Sequence, residues 1–413
     1  MAAIARCTIT LLLALLCWVS PFSVSSSVVA PLSAVAMSEP VDSATRPGPA
    51  PAIALERLFT QPLQATWFTP QFLRQVPARQ IQSILTQFTQ ELGDYQRVAA
   101  VQDGYEVEFT VGLIPAQILL TADGQVAELL LQPPVVALSP EAAIAAFEAS
   151  PHQASLLITR NGEPRVDVNA DLPLAVGSSF KLVVLSALQR QIASGLRRWD
   201  EVVALQPAWK SLPSGMLQDW PNRSALTLET LATLMISVSD NTATDALVRI
   251  VGRQTVEAHA PRNQPFLTTR EAFALKNPEN SPWLERYRQG DIQVRRQVVA
   301  ELSDRPLPDK ALFAGGPVAL DVEWFFTPSE LCQLMGEVAA LPLMQVNAGV
   351  AAPGRWAQVA FKGGSEPGVL NLTTQLTIAA GETYCVAATW NGAIALDEAA
   401  LTRTYRGLLL GLR

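Results

Sequence analysis

The pattern of apolar and polar residues changes twice along the chain. Between residues 53 and 93, Thr69-Pro70 and Pro77 punctuate helical stretches, and ARQIQSILTQFTQELG carries a helix-type spacing that ends at Gly93, a helix-stopping position. The spacing then switches to strict alternation in YEVEFTV, which puts Tyr105, Val107, Phe109 and Val111 on one face of a strand. Asp103-Gly104 and Asp123-Gly124 are hairpin-turn signals, so an antiparallel meander is expected to run to about Gln132. Helices followed by a meander predict a small α+β domain over 53–133. Pro133-Pro134 and Ser139-Pro140 mark its boundary.

The second change begins at SPEAAIAAFEAS, a helix with Ser139 as N-cap and Pro140 in its first turn. SLLITRNGEPRVDV reads as a hairpin around Asn161-Gly162. A long helical middle is expected from Phe180 to about Arg249, and residues 261–325 read as irregular. QVAFKGG, VLNLTTQLTIA and TYCVAATW read as three strands, and a closing helix is expected from Leu396 or Asp397 to Leu412. Strands at both ends with helices between them imply one sheet assembled from the two ends of residues 141–413.

Composition narrows the class. The 413 residues are 49% hydrophobic with a net charge of −7, and no Lys/Arg run appears, so nucleic acid is not an expected partner. Arg6 precedes the uncharged, mostly apolar run Cys7–Val19, which is too short to span a bilayer comfortably, and Ala34-Val35-Ala36 offers a small-residue cleavage site. Residues 1–36 therefore read as a signal peptide and 37–52 as a Pro/Ala-rich linker. The expected destination is secreted, periplasmic or extracellular, with no stable membrane anchor after cleavage. Leu16 before Cys17 argues against lipidation there. Cys332 and Cys385 lie in a helical and a strand pattern, and both read as buried apolar residues rather than as a pair.

Candidate chemistry centres on Ser178-Ser179-Phe180-Lys181, where a serine and a lysine share one helix face at the start of an apolar run. A serine hydroxyl needs an adjacent base to act as a nucleophile. The chain holds two histidines, His152 and His259, and no G-x-S-x-G elbow. A buried lysine can serve instead, because burial disfavours its charged form. Lysine is scarce: five (181, 210, 276, 310 and 362) against 25 arginines. A lysine at an apolar position is then chosen for an amine that can lose its proton, which arginine cannot do. Downstream, Ser239-Asp240-Asn241 interrupts an apolar helical pattern, and Lys362-Gly363-Gly364 ends a strand where two glycines allow close backbone approach. Each element alone also fits a loop or a strand end.

In this order, Ser-x-x-Lys, Ser-Asp-Asn and Lys-Gly-Gly resemble the three-part signature of the penicillin-binding protein and class A β-lactamase superfamily. The separation of Ser178 from Ser239, 61 positions, SDNTATDALV and the C-terminal helix pattern fit as well. The resemblance implies an α/β sandwich, an antiparallel sheet of about five strands beside an all-helical lobe, preceded by the small α+β domain. It implies Ser178 as nucleophile, Lys181 as its base or the base's partner, Ser239 as proton shuttle and Lys362 as a positive charge toward substrate. Asn241, Gly363, Gly364 and Ser365 would bind substrate, with the backbone N–H groups of Ser178 and Ser365 as the oxyanion hole. Metal and cofactor are not expected. The substrate would be a small β-lactam, ester or peptidoglycan-like molecule. A DD-peptidase, an esterase or a non-catalytic binding protein are the alternatives.

Two departures stand out. Gly363 occupies the place of the family's Thr or Ser, whose hydroxyl binds a β-lactam carboxylate, although Ser365 could compensate. The family's Glu-x-x-Leu-Asn, whose glutamate activates water, is absent, which leaves Glu271 and Glu279 as the nearest carboxylates for that role. The layout of 53–133 before 141–413 also resembles the two-domain hydrolase-like proteins of clavulanic-acid gene clusters, with a steroid-isomerase-like or cyclase-like first domain.

Overall fold

A computed structural model describes residues 50–101, 104–303, 305–351 and 353–412. The expected signal peptide, most of the linker and Asp103 of the first turn lie outside the described residues. The end of the expected linker is helical, since Pro51 opens a helix running Pro51–Thr60.

The first part is built as its pattern implies. Helix Ala78–Leu92 stops at Gly93, whose φ of +81° suits glycine. It buries Ile81, Leu85 and Leu92 against strands Tyr95–Val101, Gly104–Phe109, Gly112–Leu120 and Val126–Leu131, which pair antiparallel in that order. Val107 and Phe109 are buried, but Val111 is exposed. The strand ends at Phe109, and residues 110–111 form the turn before Gly112, so Val111 leaves the alternation. Phe68 is core, while Trp67 carries the Arg57 guanidinium on its ring at 4.7 Å.

This sheet is fastened to the rest of the chain by charge and backbone. Glu106 pairs with Arg406 of the closing helix Glu398–Leu410, and Glu108 forms ion pairs with Arg355 at 3.0 Å and with Arg97 at 2.7 Å. Leu138 N–H donates to the Gly407 carbonyl at 2.9 Å. Glycine is required at 407, because a Cβ there would lie 2.5 Å from the Val136 carbonyl oxygen.

The described residues of 141–412 form the expected α/β sandwich. The second sheet is antiparallel, in the order Gln358–Glu366, Val369–Thr377, Thr383–Asn391, Gln153–Arg160, Glu163–Val168. Its strands come from both ends of the segment, as the pattern required. The hairpin at Asn161-Gly162 turns with both residues at positive φ, 52° and 84°. One face packs on helices Pro140–Glu148 and Glu398–Leu410, with Tyr405, Trp390 and Phe147 in the core. The other face meets the helical lobe, centred on the helix Lys181–Ala193 (the serine helix) and on Leu228–Ser237 and Asn241–Val251.

Two expectations are corrected in this lobe. The helical middle is broken after Ala193: Val202–Ala204 and Ala225–Thr227 pair as short strands before Leu228–Ser237 resumes. The stretch 261–325 contains helices Thr269–Lys276, Ser281–Gln289 and Ile292–Glu301. Apolar periodicity is weak because Ser281–Gln289 and Ile292–Glu301 expose mostly charged and polar residues, while Thr269–Lys276 buries the charged Glu271 and Lys276. Their starts are set locally, by a reciprocal Thr268–Glu271 capping box and by Asp291 as N-cap.

Cys332 and Cys385 form a disulfide with their Cα atoms 5.8 Å apart, against the expectation of two unpaired residues. The helix Pro328–Val338 lies across the sheet and brings its cysteine to strand Thr383–Asn391. Spacing along the chain carries no trace of that crossing. The bond links positions 53 residues apart, so on the chain-entropy relation its loss costs about 4 kcal/mol of stability. The double variant Cys332→Ala/Cys385→Ala is expected to lose that amount in guanidinium unfolding. A loss below about 1 kcal/mol would contradict the assignment.

Candidate active site

The serine motif begins with a forced backbone. Gly177 has φ +48° and opens a single 3₁₀ turn, Gly177–Phe180, that runs directly into the serine helix. Phe180 is buried and stacks on Trp324 with centroids 3.8 Å apart, and meets Phe266 edge-on. Val176 N–H donates to the Trp324 carbonyl at 3.1 Å. These contacts hold the turn rigid beneath Ser178. Ser178 itself is half-buried and lines a cavity of about 310 Å³. Its hydroxyl has no hydrogen-bond partner among the described residues.

The strand Gln358–Glu366 closes on this turn. A Cβ on Gly364 would stand 2.2 Å from the Val176 oxygen, 2.4 Å from Ser178 N and 2.6 Å from Ser179 N. A Cβ on Gly177 would stand 3.2 Å from Ser365 N. The two glycines therefore let the Ser178 and Ser365 backbone nitrogens come together, as an oxyanion hole requires. Ser179 Oγ donates to the Lys362 carbonyl at 3.3 Å and ties the turn to the strand.

Lys181 is fully buried. Its Nζ lies 2.5 Å from the Ser239 carbonyl oxygen, 2.7 Å from Asn241 Oδ1 and 3.0 Å from Ser239 Oγ. Burial holds its pKa well below the ordinary lysine range. The Lys362 charge lowers it further, and Asp240 and Asp245 oppose the shift. A neutral amine has two hydrogens and one lone pair. The Ser239 carbonyl and Asn241 Oδ1 can only accept, so they take the two hydrogens. As an ammonium the group also donates to Ser239 Oγ; as a neutral amine its lone pair would face that hydroxyl, which would then donate to it. Asn241 is oriented independently, because its Nδ2 donates to the Leu212 carbonyl at 3.0 Å. From the other side Lys362 Nζ donates to Ser239 Oγ at 3.1 Å, and burial depresses Lys362 to about 7.

Ser239 occupies a strained position, with φ +57°. Asp240 holds it there. Its carboxylate caps the helix Asn241–Val251 through Ala243 N–H at 2.8 Å and accepts Met216 and Leu217 N–H at 2.7 and 2.9 Å. Asp245, one turn on, accepts Thr269 N–H at 2.7 Å, Thr269 Oγ1 at 2.8 Å and Arg270 N–H at 2.9 Å. Burial raises it to about 7. Asp245 thus anchors the helix that carries Asn241 into the cavity.

The structure brings Ser178, Lys181, Ser239, Asn241, Lys362, Gly364 and Ser365 to one place. It does not bring the two glutamates there. Glu271 is spent on structure: Oε2 accepts Thr268 N–H at 2.9 Å and Oε1 pairs with Arg253 at 2.6 Å. Glu279 is exposed and does not line the cavity. Gly363 alternates away from the site, beside Phe361, whose ring edge a Cβ would meet at 2.9 Å. By alternation the side chain of Ser365 shares that outer face, near Glu398, while the residue still lines the cavity. Sequence reasoning missed Lys276, Glu323 and Glu366, which line the same cavity. Lysine scarcity singles out Lys276, and alternation from Lys362 reaches Glu366.

Residues 140–278 match the model of the beta-lactamase enzyme family. No curated protein matches the chain. Among solved structures the chain is similar to a beta-lactamase from Sphaerobacter thermophilus DSM 20745, at 23% identity and a TM-score of 0.48, over 67% of this chain and 97% of that one. It is similar to a beta-lactamase from Desulfarculus baarsii DSM 2075, at 19% identity and 0.45, over 67% and 100%. It is also similar to PBP-A, at 16% identity and 0.46, over 66% and 94%.

Proposed function

We propose that this chain, β-lactamase-like over residues 140–278, is an exported serine acyl hydrolase that works through an acyl-enzyme on Ser178. The observation that supports it most is the buried Lys181 amine, bonded to Ser239 and Asn241 and flanked by Lys362. Ser178 Oγ attacks an acyl carbonyl and its proton passes to Lys181, directly or through Ser239. The carbonyl oxygen becomes an oxyanion held by the N–H groups of Ser178 and Ser365. Ser239 then delivers the proton to the leaving group, with the Lys362 charge beside it.

Substrate choice follows from what the strand lacks. With glycine at 363, and the Ser365 side chain on the outer face near Glu398, the strand lacks the family's hydroxyl for a β-lactam carboxylate. A short ester or amide suits this cleft better than a penicillin. The test is a hydrolysis screen of β-lactams and short acyl esters, with the wild type beside Ser178→Ala. Ester turnover that disappears in the variant is expected. Turnover that survives it, or ligand binding without any turnover, would overturn the reading.

The close approach at Gly364 carries its own prediction. A methyl group there must push the strand off the serine turn, because the atoms it meets are backbone. Gly364→Ala is expected to lose about 2 kcal/mol of stability and on the order of 10²-fold in kcat through misplacement of the oxyanion donors. Denaturant unfolding and steady-state kinetics measure both. Unchanged kcat would mean that this contact does not position the site.

A further inference from the structure

Among the described residues, the carboxylates lining the cavity that holds Ser178 are Glu323 and Glu366. They differ in freedom. Lys276 at the end of helix Thr269–Lys276 pairs with Glu323, and both side chains are almost wholly buried. The same amine donates to Glu366 Oε1 and Oε2 at 3.0 and 2.9 Å, yet the Glu366 side chain keeps 17% exposure. Its place on the strand is set by alternation. Pairing with Val369–Thr377 is unbroken from Gln358 to Glu366, so Lys362, Gly364 and Glu366 share one face. Gly364 abuts Ser178 N. Lys362 and Glu366 therefore flank the serine turn at equal steps along the strand, roughly 6–7 Å to either side.

We propose that Glu366 is the base that activates water to hydrolyse the acyl group on Ser178. This rests on the acyl-enzyme reading above. The Glu366 carboxylate takes a proton from water as the water oxygen bonds to the acyl carbon, and the carbonyl electron pair moves onto the oxyanion. When the oxyanion collapses, the bond between the acyl carbon and Ser178 Oγ breaks. Glu366 returns the proton to Oγ, and a carboxylic acid leaves. Nothing beyond water is consumed.

The surroundings of Glu366 give the step a pH signature. Glu323, Lys276 and Lys310 face the same cavity, Lys362 lies on the same strand face, and Glu398 lies across the strand beside Ser365. Burial and the neighbouring Glu323 raise Glu366 to about 8, against the pull of Lys276. Below that pH the base is protonated, so decay of the acyl-enzyme rises as pH climbs through about 8.

The experiment acylates full-length protein with p-nitrophenyl acetate, removes excess reagent and follows loss of the acetyl mass with time from pH 6 to pH 9.5. In the wild type, decay is expected to accelerate through about pH 8. In Glu366→Gln the adduct on Ser178 is expected to form but to decay on the order of 10²-fold more slowly, without the alkaline rise, and Glu366→Asp should fall between. A Glu366→Gln adduct that decays at the wild-type rate, or a variant that changes only KM, overturns the proposal. Should Glu366→Gln not fold, a wild-type decay rate that is flat between pH 7 and 9 overturns it equally. Absence of any adduct in the wild type would instead sink the acyl-enzyme reading.

Discussion

Ser178→Ala is expected to abolish acyl transfer, with kcat/KM for a short activated ester falling on the order of 10⁴-fold or more, while the protein stays folded. The two halves of this expectation come from the same geometry. The hydroxyl lines the cavity and has no partner among the described residues, so its removal leaves no buried group unsatisfied. Stability should therefore change by no more than about 0.5 kcal/mol. The chemistry, in contrast, has no second nucleophile in reach: Ser239 Oγ is engaged by both Lys181 and Lys362, and Ser179 Oγ by the strand. Thermal melting beside stopped-flow ester hydrolysis checks both. An alanine variant that keeps a tenth of the wild-type rate would show that Ser178 carries no acyl group.

Lys181→Arg tests the base. A guanidinium keeps the positive charge and can donate to Ser239 and Asn241, but it does not give up its proton near neutral pH. The acylation rate is expected to fall on the order of 10²- to 10⁴-fold, the range for losing a positioned base. The pH profile should change with it. In the wild type, protonation of Lys181 as pH falls removes the lone pair that takes the serine proton, so acylation declines toward acid. Because burial and the Lys362 charge hold the Lys181 pKa well below the lysine range, that decline lies far below the 10.4 of a free lysine. In Lys181→Arg the residual rate should show no such limb. A variant that retains the limb would assign it to another group.

Much of the fold was legible because it depends on local alternation and turn chemistry. The hairpins at Asn161-Gly162 and Asp123-Gly124 and the strand set 358–391 follow directly from residue pattern. The meeting of the three motifs was implied by their resemblance to a known ordered signature, and Lys181, Ser239, Asn241 and Lys362 do come together. What escaped the sequence depends on contacts between distant segments. Charged exposed positions, and the buried charges Glu271 and Lys276, masked the helices of 261–325. The disulfide needs the helix Pro328–Val338 to cross strand Thr383–Asn391, and nothing local encodes that crossing. Glu271 looked available because its capping role and its pairing with Arg253 are invisible until the helix at 269–276 is known. Glu366 was overlooked although it stands two residues beyond Gly364 on the Lys362 face, because its partners Lys276 and Glu323 arrive from elsewhere in the chain.

The small number of lysines makes the central claim open to direct observation. Labelling the five lysine side chains with carbon-13 gives five resolvable Cε environments, and comparison with Lys181→Arg assigns the one that matters. The Lys181 signal is expected to leave the ammonium position at a pH well below the ordinary lysine range. A Lys181 signal that stays at the ammonium position until the pH approaches 10 would contradict it.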